Sequence, residues 1–473
     1  MTVTTKHQCY EDAAGDWQLI RDCIAGSRAI KEAGTLYLPQ LEGMNGTAYE
    51  SYKQRAQWFG ATSRTLEGLQ GAIFRKPPVV EVPDKLQPVV QNVDGRGTGL
   101  ETFGKTVVRE VIATGRLGIL VDLPADASGR PFLACYEAES IVNWRVQTIN
   151  GKPVCTLVVL HEPVEEADPD NPFGRKVVDG YRVLRLDLDG NRPVYTIDRW
   201  RKVADRVGRE DWALVESTMP TRRGESLDFL PFVVIGPTDL GLDVAKSPIL
   251  DLAEVNLSHF RTSADLEHGA HFTALPTVWV AGGIAGAQPG SVPDLHVGAG
   301  AAWQLDQGST CGMLEFRGQG LNALEKRLER KEAHLAVLGA RLLEDQKNGV
   351  EAAETVSLRH RGENSLLASI ANTVSRGLSQ ALSWASWWSY ASNDPNAARV
   401  SLNTDFSTSA MSAADVVALV KAWQSGGIGG RTLHHNLEIG ERLPPGMTFD
   451  EWIGDIEEFG AATLSLLPSS LTK

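Results

Sequence analysis

The sequence of 473 residues is long enough for two or three globular units, and its 42% hydrophobic and 22% charged residues are typical of a folded protein. The formal net charge of −13 argues against a protein that wraps nucleic acid tightly, because phosphate contacts need an excess of lysine and arginine. The five cysteines form no Cys-x-x-Cys pair, so neither a disulfide framework nor a cysteine zinc site is expected.

The N-terminus and the hydrophobic runs predict neither an export signal nor a membrane span. Residues 1–17 are polar and acidic, and no run approaches the ~20 apolar residues that a membrane helix needs. We therefore expect a soluble protein, used in a reducing cytoplasm or in a particle assembled there. Solubility alone explains the acidic charge, although an acidic surface would also let DNA pass without retaining it.

The first part of the chain is predicted to be helical. After a short helical start and a loop rich in glycine and proline, apolar residues at helical spacing predict one helix over residues 49–74. Lys76-Pro77-Pro78 ends that helix, because proline lacks an amide hydrogen and restricts the residue before it. A second helix is predicted near residues 100–114, leading through Gly115 into a buried strand at residues 119–121.

Residues 131–235 are predicted to form strands. Leu184, Leu186 and Leu188 alternate with polar residues, which is typical of a strand buried on one face. Asp189-Gly190-Asn191 then predicts a hairpin turn into a strand at residues 194–197. The run from Asp187 superficially resembles a calcium loop, but it lacks the glutamate that such a loop needs at its twelfth position, so we interpret it as a turn.

The second half predicts a helix, a strand-rich insert and two further helices. Serine followed by proline predicts a helix start at Ser247-Pro248, and the glycine- and proline-rich insert ends near Phe316. A leucine stripe then predicts an amphipathic helix, with Lys331 at its one missing repeat. The stripe consists of Leu321, Leu324, Leu328, Leu335, Leu338 and Leu342. A polar loop with an Asn-Gly turn follows, and a second long helical pattern resumes from Glu351.

The C-terminal part is predicted to contain a strand at residues 400–406 and then a small helical unit. Ser412-Ala413-Ala414-Asp415 is interpreted as a helix cap, and residues 431–437 as another short helix. The tail from Leu466 to Lys473 is predicted to be loose.

The sequence contains no recognisable catalytic or metal-binding motif. It lacks a P-loop, a Gly-x-Ser-x-Gly elbow and a His-Glu-x-x-His helix, and His161-Glu162 lacks the second histidine of a zinc site. His434-His435 are interpreted as surface or packing residues. Trp384, Trp387, Trp388 and Tyr390 could stack on bases, but at helical spacing we interpret them as core or subunit contacts. We therefore expect no enzyme, no cofactor and no metal.

Four stretches, in this order, resemble the portal proteins of tailed double-stranded DNA bacteriophages. They are Ile-Val-Asn-Trp-Arg at 141–145, Ser-Pro-Ile-Leu-Asp-Leu-Ala-Glu-Val-Asn at 247–256 with Ser-Ala-Asp at 263–265, Gly-Gln-Gly-Leu-Asn-Ala-Leu-Glu at 318–325, and Gly-Glu-Asn-Ser-Leu-Leu-Ala-Ser-Ile-Ala at 362–371. The resemblance covers roughly residues 45–460, and the stretches are specific only as a set.

The resemblance implies an α+β portal fold in a ring-forming subunit, with a wing, a two-helix stem, a β-rich clip and a small crown-side unit. Its parts would be an N-terminal wing at 1–246, a first stem helix at 247–273, a clip at 274–316, a second stem helix at 317–343, a tunnel loop at 344–350, a long wing helix and strand at 351–408, and a C-terminal wing or crown unit at 409–473.

The resemblance also implies a ring at one capsid vertex, usually of twelve subunits, around a DNA channel. The tunnel loop would touch passing DNA through Glu344, Asp345, Gln346, Lys347, Asn348 and Gly349. Lys326, Arg327, Arg330 and Lys331 are further candidates for the channel wall, although they could equally pair with the interspersed glutamates. Implied partners are other copies of the chain, the terminase motor, head-tail adaptors, and the major capsid and scaffolding proteins, in a virion assembled in the bacterial cytoplasm.

Two other functions remain open at this point. The chain could be a DNA-packaging enzyme, such as a nuclease or an ATPase. It could also be a monomeric helical adaptor that binds a partner through the leucine stripe.

Overall fold

A computed structural model describes residues 2–123, 130–149, 151–168, 171–189, 192–204, 210–274, 277–282, 304–314, 320–342, 365–389, 391–392, 394, 396–406, 413–440, 442–444 and 447–459. The chain combines helices with antiparallel sheets, which confirms the predicted α+β class. It divides into an N-terminal unit, Met1–Thr404, and a C-terminal unit, Asp405–Lys473.

The helices that the structure describes are α1 (Gln8–Ala25), α2 (Ser27–Glu32), α3 (Gly46–Arg55), α4 (Ala61–Ile73), α5 (Gln87–Gln91), α6 (Leu100–Thr114), α7 (Leu250–Ala274), α8 (Leu321–Arg341), α9 (Leu366–Trp388), α10 (Ala413–Gln424), α11 (Gly430–Ile439) and α12 (Phe449–Phe459).

The strands in the same part of the chain are β1 (Val79–Glu81), β2 (Leu117–Asp122), β3 (Phe132–Glu137), β4 (Ile141–Ile149), β5 (Lys152–His161), β6 (Val164–Ala167), β7 (Arg175–Val178), β8 (Gly180–Asp189), β9 (Arg192–Ala204), β10 (Glu210–Thr218), β11 (Thr221–Arg222), β12 (Glu225–Ser226), β13 (Phe232–Ile235), β14 (Thr277–Ala281), β15 (Thr310–Leu314) and β16 (Arg399–Ser401).

The largest sheet has five strands in the order β10-β9-β8-β5-β4, and a three-stranded sheet has the order β13-β2-β3. Strands β8 and β9 pair from Gly180↔Arg201 to Asp189↔Arg192, which confirms the predicted hairpin. Leu184 and Leu186 are both buried, as their alternation with polar residues predicts. Four two-stranded pairs complete the described strands: β1 with β16, β6 with β7, β11 with β12, and β14 with β15.

Helix α6 leads into the buried strand β2, as predicted, and the core of the N-terminal unit forms around this connection. Gly115 ends the helix in the left-handed region at φ 79° and turns the chain into the strand. The neighbouring elements approach closely: a Cβ at Gly118 would lie 2.3 Å from the Phe232 ring of β13. A Cβ at Gly377 would lie 2.4 Å from Cδ1 of the fully buried Ile235, so α9 lies directly on β13.

A buried polar network joins the five-stranded sheet to the three-stranded sheet. Arg182 of β8 donates to Asp122 of β2 at 2.5 Å and to Glu162 at 2.9 Å, and the Tyr136 hydroxyl of β3 donates to Glu162 at 3.1 Å. Burial raises the pKa of Tyr136, so its hydroxyl remains a donor. The guanidinium is therefore neutralised where the two sheets meet.

Three predicted boundaries were wrong. Residues 49–74 form two helices, because α3 ends at Arg55 and α4 begins at Ala61. Helix α7 begins at Leu250 rather than at Ser247, whose hydroxyl donates to the Ala113 carbonyl at 2.6 Å and accepts from the Ile249 amide at 3.3 Å, just before the helix. The strand predicted at 400–406 ends at Ser401, because the amide of Leu402 leaves the ladder and donates to Ser375 Oγ of α9 at 3.0 Å.

The C-terminal unit contains three described helices around a small core of Leu433, Leu437 and Trp452. Helix α11 confirms the helix predicted at 431–437, and His434 is a packing residue, with its ring 5.4 Å from that of Trp452. Helix α12 was not predicted, although Thr448-x-x-Glu451 forms a capping box in which Glu451 accepts from the Thr448 amide at 2.8 Å. That contact lowers the pKa of Glu451. The predicted cap at Ser412 and the tail at 466–473 lie outside the described residues.

The close packing of α9 on β13 leads to a stability prediction. Gly377→Ala should lower the free energy of unfolding by about 1–2 kcal/mol, because the overpacking against Ile235 outweighs the gain in helix propensity. Gly68→Ala in α4, where a Cβ would meet nothing within 4 Å, should instead raise it by about 0.5–1 kcal/mol. Urea unfolding of both variants measures the two effects, and stabilisation by both would contradict the close approach.

Candidate functional site: the paired helices α7 and α8

Helices α7 and α8 lie antiparallel against each other, and the strands β14 and β15 lie between them in the chain. Near the start of α8, Leu321 Cδ2 lies 2.9 Å from where a Cβ of Gly269 would be. Further along α8, Lys331 contacts Ser258 and Thr262, which come earlier in α7. The positions on α7 fall as those on α8 rise, and this defines the antiparallel direction.

The leucine stripe of α8 faces this contact but is incompletely covered. Leu335 is 3% exposed, whereas the other five leucines of the stripe remain half-buried and Val337 beside them is 47% exposed. Towards its end, α8 approaches α4, where a Cβ of Gly339 would lie 3.3 Å from Thr65 Cγ2. One subunit therefore leaves much of the apolar face of α8 accessible.

Lys331, at the missing repeat of the stripe, forms a polar contact between the two helices. Its ammonium donates to the Ser258 carbonyl at 2.8 Å and to Thr262 Oγ1 at 2.5 Å. Burial lowers the pKa of Lys331, and the nearby Arg327 lowers it further. The next residue, Glu332, lies with its carboxylate 3.3 Å from Nε2 of the buried His259. In the sequence, the sign of this polar contact between α7 and α8 is a lysine within an apolar stripe.

Helix α7 is held to the break between α3 and α4 by the fully buried side chain of Asn256. Its Oδ1 accepts from the Thr62 amide at 3.0 Å and from Thr62 Oγ1 at 2.9 Å, and its Nδ2 donates to the Phe59 carbonyl at 2.7 Å. A buried peptide group without such a partner costs about 1–3 kcal/mol. The asparagine therefore makes the break possible and fixes its position on α7.

Two further contacts connect the same regions. Ser263 Oγ accepts from the Gln57 amide at 3.2 Å, and the Tyr52 hydroxyl donates to Asp265 at 2.6 Å. Burial raises the pKa of Tyr52, and the hydrogen bond to Asp265 raises it further, so the tyrosine stays protonated. Ser263 and Asp265 belong to a stretch that carries the resemblance, but these contacts were not predicted from the sequence, because nothing in their local spacing marks a partner some 200 positions away.

Three of the four cations predicted to line a channel are exposed on α8. Lys326, Arg327 and Arg330 form no ion pair within the part of the chain that the structure describes, so the glutamates between them are not their partners there. The fourth cation, Lys331, is also on α8, but its ammonium donates to Ser258 and Thr262 of α7. The loop residues Glu344, Asp345, Gln346, Lys347, Asn348 and Gly349, and the helical pattern predicted at 351–364, lie outside the described residues.

The tryptophans of α9 pack within the N-terminal unit, as interpreted from their spacing: Trp388 is buried, and Trp384 and Trp387 are half-buried. The rings of Trp384 and Trp387 lie 5.5 Å and 5.7 Å from that of Phe229. Trp388 is 4% exposed, and its Nε1 donates to the Thr221 carbonyl at 3.3 Å. Tyr390 lies outside the described residues.

The described part of the insert between α7 and α8 is a hairpin of two strands. Strands β14 and β15 pair from Thr277↔Leu314 to Ala281↔Thr310. Trp279 and Met313 are 44% and 58% exposed. The hairpin thus presents apolar side chains on its surface.

The described residues give no sign of metal chemistry. No group of three or more His, Cys, Asp or Glu side chains among them is placed to hold a metal ion. The helices in that part of the chain include none long and apolar enough to cross a membrane. All five cysteines are free thiols, of which Cys9 and Cys311 are exposed.

One family model matches part of this region. It is described as a domain of unknown function, DUF4055, and matches residues 248–389, from α7 to the end of α9. A search of curated protein sequences finds no match.

Chains in three solved structures of gene transfer agent (GTA) particles are similar to this one. A chain in the virion of the native GTA particle is 14% identical, with 88% of this chain and 99% of that chain covered and a TM-score of 0.39. A chain in the neck of the native particle, computed with C12 symmetry, is 14% identical over 81% and 90%, with a TM-score of 0.38. A chain in the neck of the empty particle, computed with C6 symmetry, is 15% identical over 86% and 95%, with a TM-score of 0.38.

The contacts of Asn256 lead to a prediction about the joint between α7 and the α3–α4 break. Asn256→Leu should lower the free energy of unfolding by about 2–4 kcal/mol, because the Thr62 amide and the Phe59 carbonyl lose their buried partner. Glu254→Leu, at an exposed position on the same helix, should change it by less than about 0.5 kcal/mol. Chemical denaturation of both variants tests this, and equal stabilities would show that the asparagine does not hold the joint.

Proposed function

We propose that the chain is the subunit of a portal ring at one vertex of a phage-like capsid. In this role it forms a channel for packaging and ejecting double-stranded DNA and a platform for other proteins of the particle. Helices α7 and α8 would be the stem, the hairpin β14–β15 part of the clip, and the preceding sheets and helices the wing.

The incompletely covered stripe of α8 carries this proposal. A rod with half-buried leucines and an exposed Val337 has an apolar face left to cover, and a different surface of an identical neighbour would cover it. The order of helix, hairpin, helix and long helix agrees with the sequence resemblance to portal proteins. A head-to-tail contact repeated by rotation closes a ring, and twelve subunits is the number that the resemblance implies.

The exposed cations of α8 support a channel. Lys326, Arg327 and Arg330 would meet phosphates weakly and without reading base sequence, which passage of any DNA requires. The predicted tunnel loop at 344–350 would touch the same DNA. The overall charge of −13 would keep the remaining wall from retaining the duplex.

The exposed hairpin is the proposed docking surface for partner proteins. Because the sequence carries no motif for nucleotide or metal chemistry, a separate motor would drive the DNA. Trp279 and Met313 offer an apolar surface for the terminase motor during packaging and for head-tail adaptors afterwards. Major capsid and scaffolding proteins would surround the wing. The subunit itself would carry out no reaction, and it would be located in the virion.

Imaging of the purified protein tests the ring directly. Negative-stain micrographs should show rings with a central hole, because each subunit leaves the α8 face to be covered by a neighbour. Mass measurement in solution should give a multiple of the 51.3 kDa chain, with about twelve copies expected. Only monomers over a range of salt and protein concentrations would favour the helical adaptor instead.

The same preparation separates a structural role from an enzymatic one. ATP hydrolysis and magnesium-dependent DNA cleavage should both stay at the level of a buffer control. Robust turnover that survives repurification would favour the nuclease or ATPase alternative.

A channel role for the loop predicts a defect in packaging without a defect in assembly. Replacing residues 344–349 with a Gly/Ser linker should leave rings intact, because it changes none of the residues in the described α7–α8 contacts, and should reduce the DNA packaged in an in vitro reaction. The triple variant Lys326→Gln, Arg327→Gln, Arg330→Gln tests the channel role of helix α8 in the same way: rings should form, and less DNA should be packaged.

Lys331→Gln provides the matched control for that triple variant. It removes the α7 contact rather than an exposed charge, so it should lower the stability of the subunit instead of the packaging rate of rings already formed. Normal packaging by both the loop and the triple variants would refute the channel assignment.

A further inference from the structure

The β6–β7 hairpin is an arm that pairs only with itself among the described strands. Its strands run antiparallel from Val164↔Val178 to Ala167↔Arg175, and they belong to no larger sheet. Phe173, in the connection between them, is 98% exposed, and Val177 is 62% exposed. A two-stranded hairpin is marginally stable alone, so this arm is expected to gain order from a partner.

A cleft of about 700 Å³ lies at the root of the arm. Five arginines and two glutamates line it, together with Tyr181 and Trp200, although the whole chain carries a net charge of −13. Arg182 is used internally by Asp122 and Glu162, and Arg199 pairs with Glu216 at 3.0 Å.

Arg96 differs from the other arginines of the cleft. Within the part of the chain that the structure describes, its guanidinium forms no ion pair, and its side chain is exposed. It also lines a second cleft of about 430 Å³ that shares Glu162 and Pro163 with the first. The cleft therefore offers a cation and aromatic walls to a ligand from outside.

The arm has the chemistry that such a cleft accepts. Phe173 supplies an aromatic ring that packs well on a guanidinium face. Glu165 and Glu166 of the arm already pair with Arg175 and Arg201 of their own cleft, so the ring is the group that the arm has left to offer. In its own subunit the ring is 98% exposed, so it does not fill its own cleft. The cleft volume lies within the range that encloses an aromatic side chain and its neighbours.

We propose that the Phe173 end of the arm of one subunit binds in the arginine-lined cleft of the next subunit in the ring. The cleft wall includes Val164, Glu165 and Arg175 from the root of the arm, but Phe173 does not line it. The Phe173 end and the cleft are therefore different surfaces of one chain, so the contact is head-to-tail and propagates around a closed ring. This inference rests on the proposed ring and adds the contact that joins the wings of neighbouring subunits.

Cysteine cross-linking between two populations of the full chain tests the contact. Both populations carry Cys9→Ser and Cys311→Ser, which remove the exposed thiols. One population adds Pro172→Cys beside Phe173, and the other adds Arg199→Cys in the cleft wall, so that Phe173 and Arg96 stay in place. Burial raises the pKa of Cys23 and of Cys135 to about 12, and that of Cys155 to about 11, so the remaining thiols resist oxidation. The two populations are dissociated, mixed, reassembled and oxidised, and the products are separated on a non-reducing gel.

The expected result is a covalent dimer as the main product of the mixture and monomers from either population alone. Replacing the Pro172→Cys chain with a Met219→Cys chain, which has an exposed residue outside the arm, should abolish the dimer. Separately, loss of rings on either Phe173→Ala or Arg96→Ala, but not on Met219→Ala, would also support the contact.

Rings without a cross-linked dimer in the mixture would overturn the arm contact and leave the proposed function standing. If the parent with only Cys9→Ser and Cys311→Ser forms no rings, the proposed function fails. Even then, a cross-linked dimer formed by the two mixed cysteine populations would support the arm contact.

Discussion

The side-chain amide of Asn256 is the interaction on which the placement of the long helices depends. It makes three hydrogen bonds to Thr62 and Phe59, across 194 and 197 positions of sequence, and is completely buried. Without it the break between α3 and α4 would leave peptide groups unsatisfied at about 1–3 kcal/mol each. Because α8 lies along α7, the same amide indirectly sets where the leucine stripe and the exposed cations point.

The elements that the sequence predicts correctly are those whose signal is local. Helix α6 and its glycine cap, the β8–β9 hairpin and the tryptophans of α9 all follow from spacing and turn residues within a few positions. The split of residues 49–74 could not be predicted this way. The apolar spacing continues across it, and the partners that permit the break are side chains of a helix some 200 residues later.

Lys331 is a candidate-site residue whose position, but not its partner, could be recognised in the sequence. A cation within a leucine stripe marked an unusual position, and exposure on a channel wall was one explanation. The structure gives it two acceptors on α7, Ser258 and Thr262, while Lys326, Arg327 and Arg330 remain on the surface. The local pattern identified the position, but its partner depends on the antiparallel register of two helices that are separated by a strand-rich insert.

Buried polar pairs fix how the elements of the N-terminal unit pack on one another. Its exposed elements, in contrast, carry apolar side chains that the subunit itself leaves uncovered. Arg182 with Asp122, Asn256 with Thr62, and Lys331 with Thr262 each require one geometry, because a misplaced polar group in the interior is costly. The stripe of α8, the β14–β15 hairpin and the β6–β7 arm are less demanding, since apolar contact tolerates small shifts. A subunit built this way would hold its own shape before assembly and still adapt to identical neighbours, which is what the proposed ring needs.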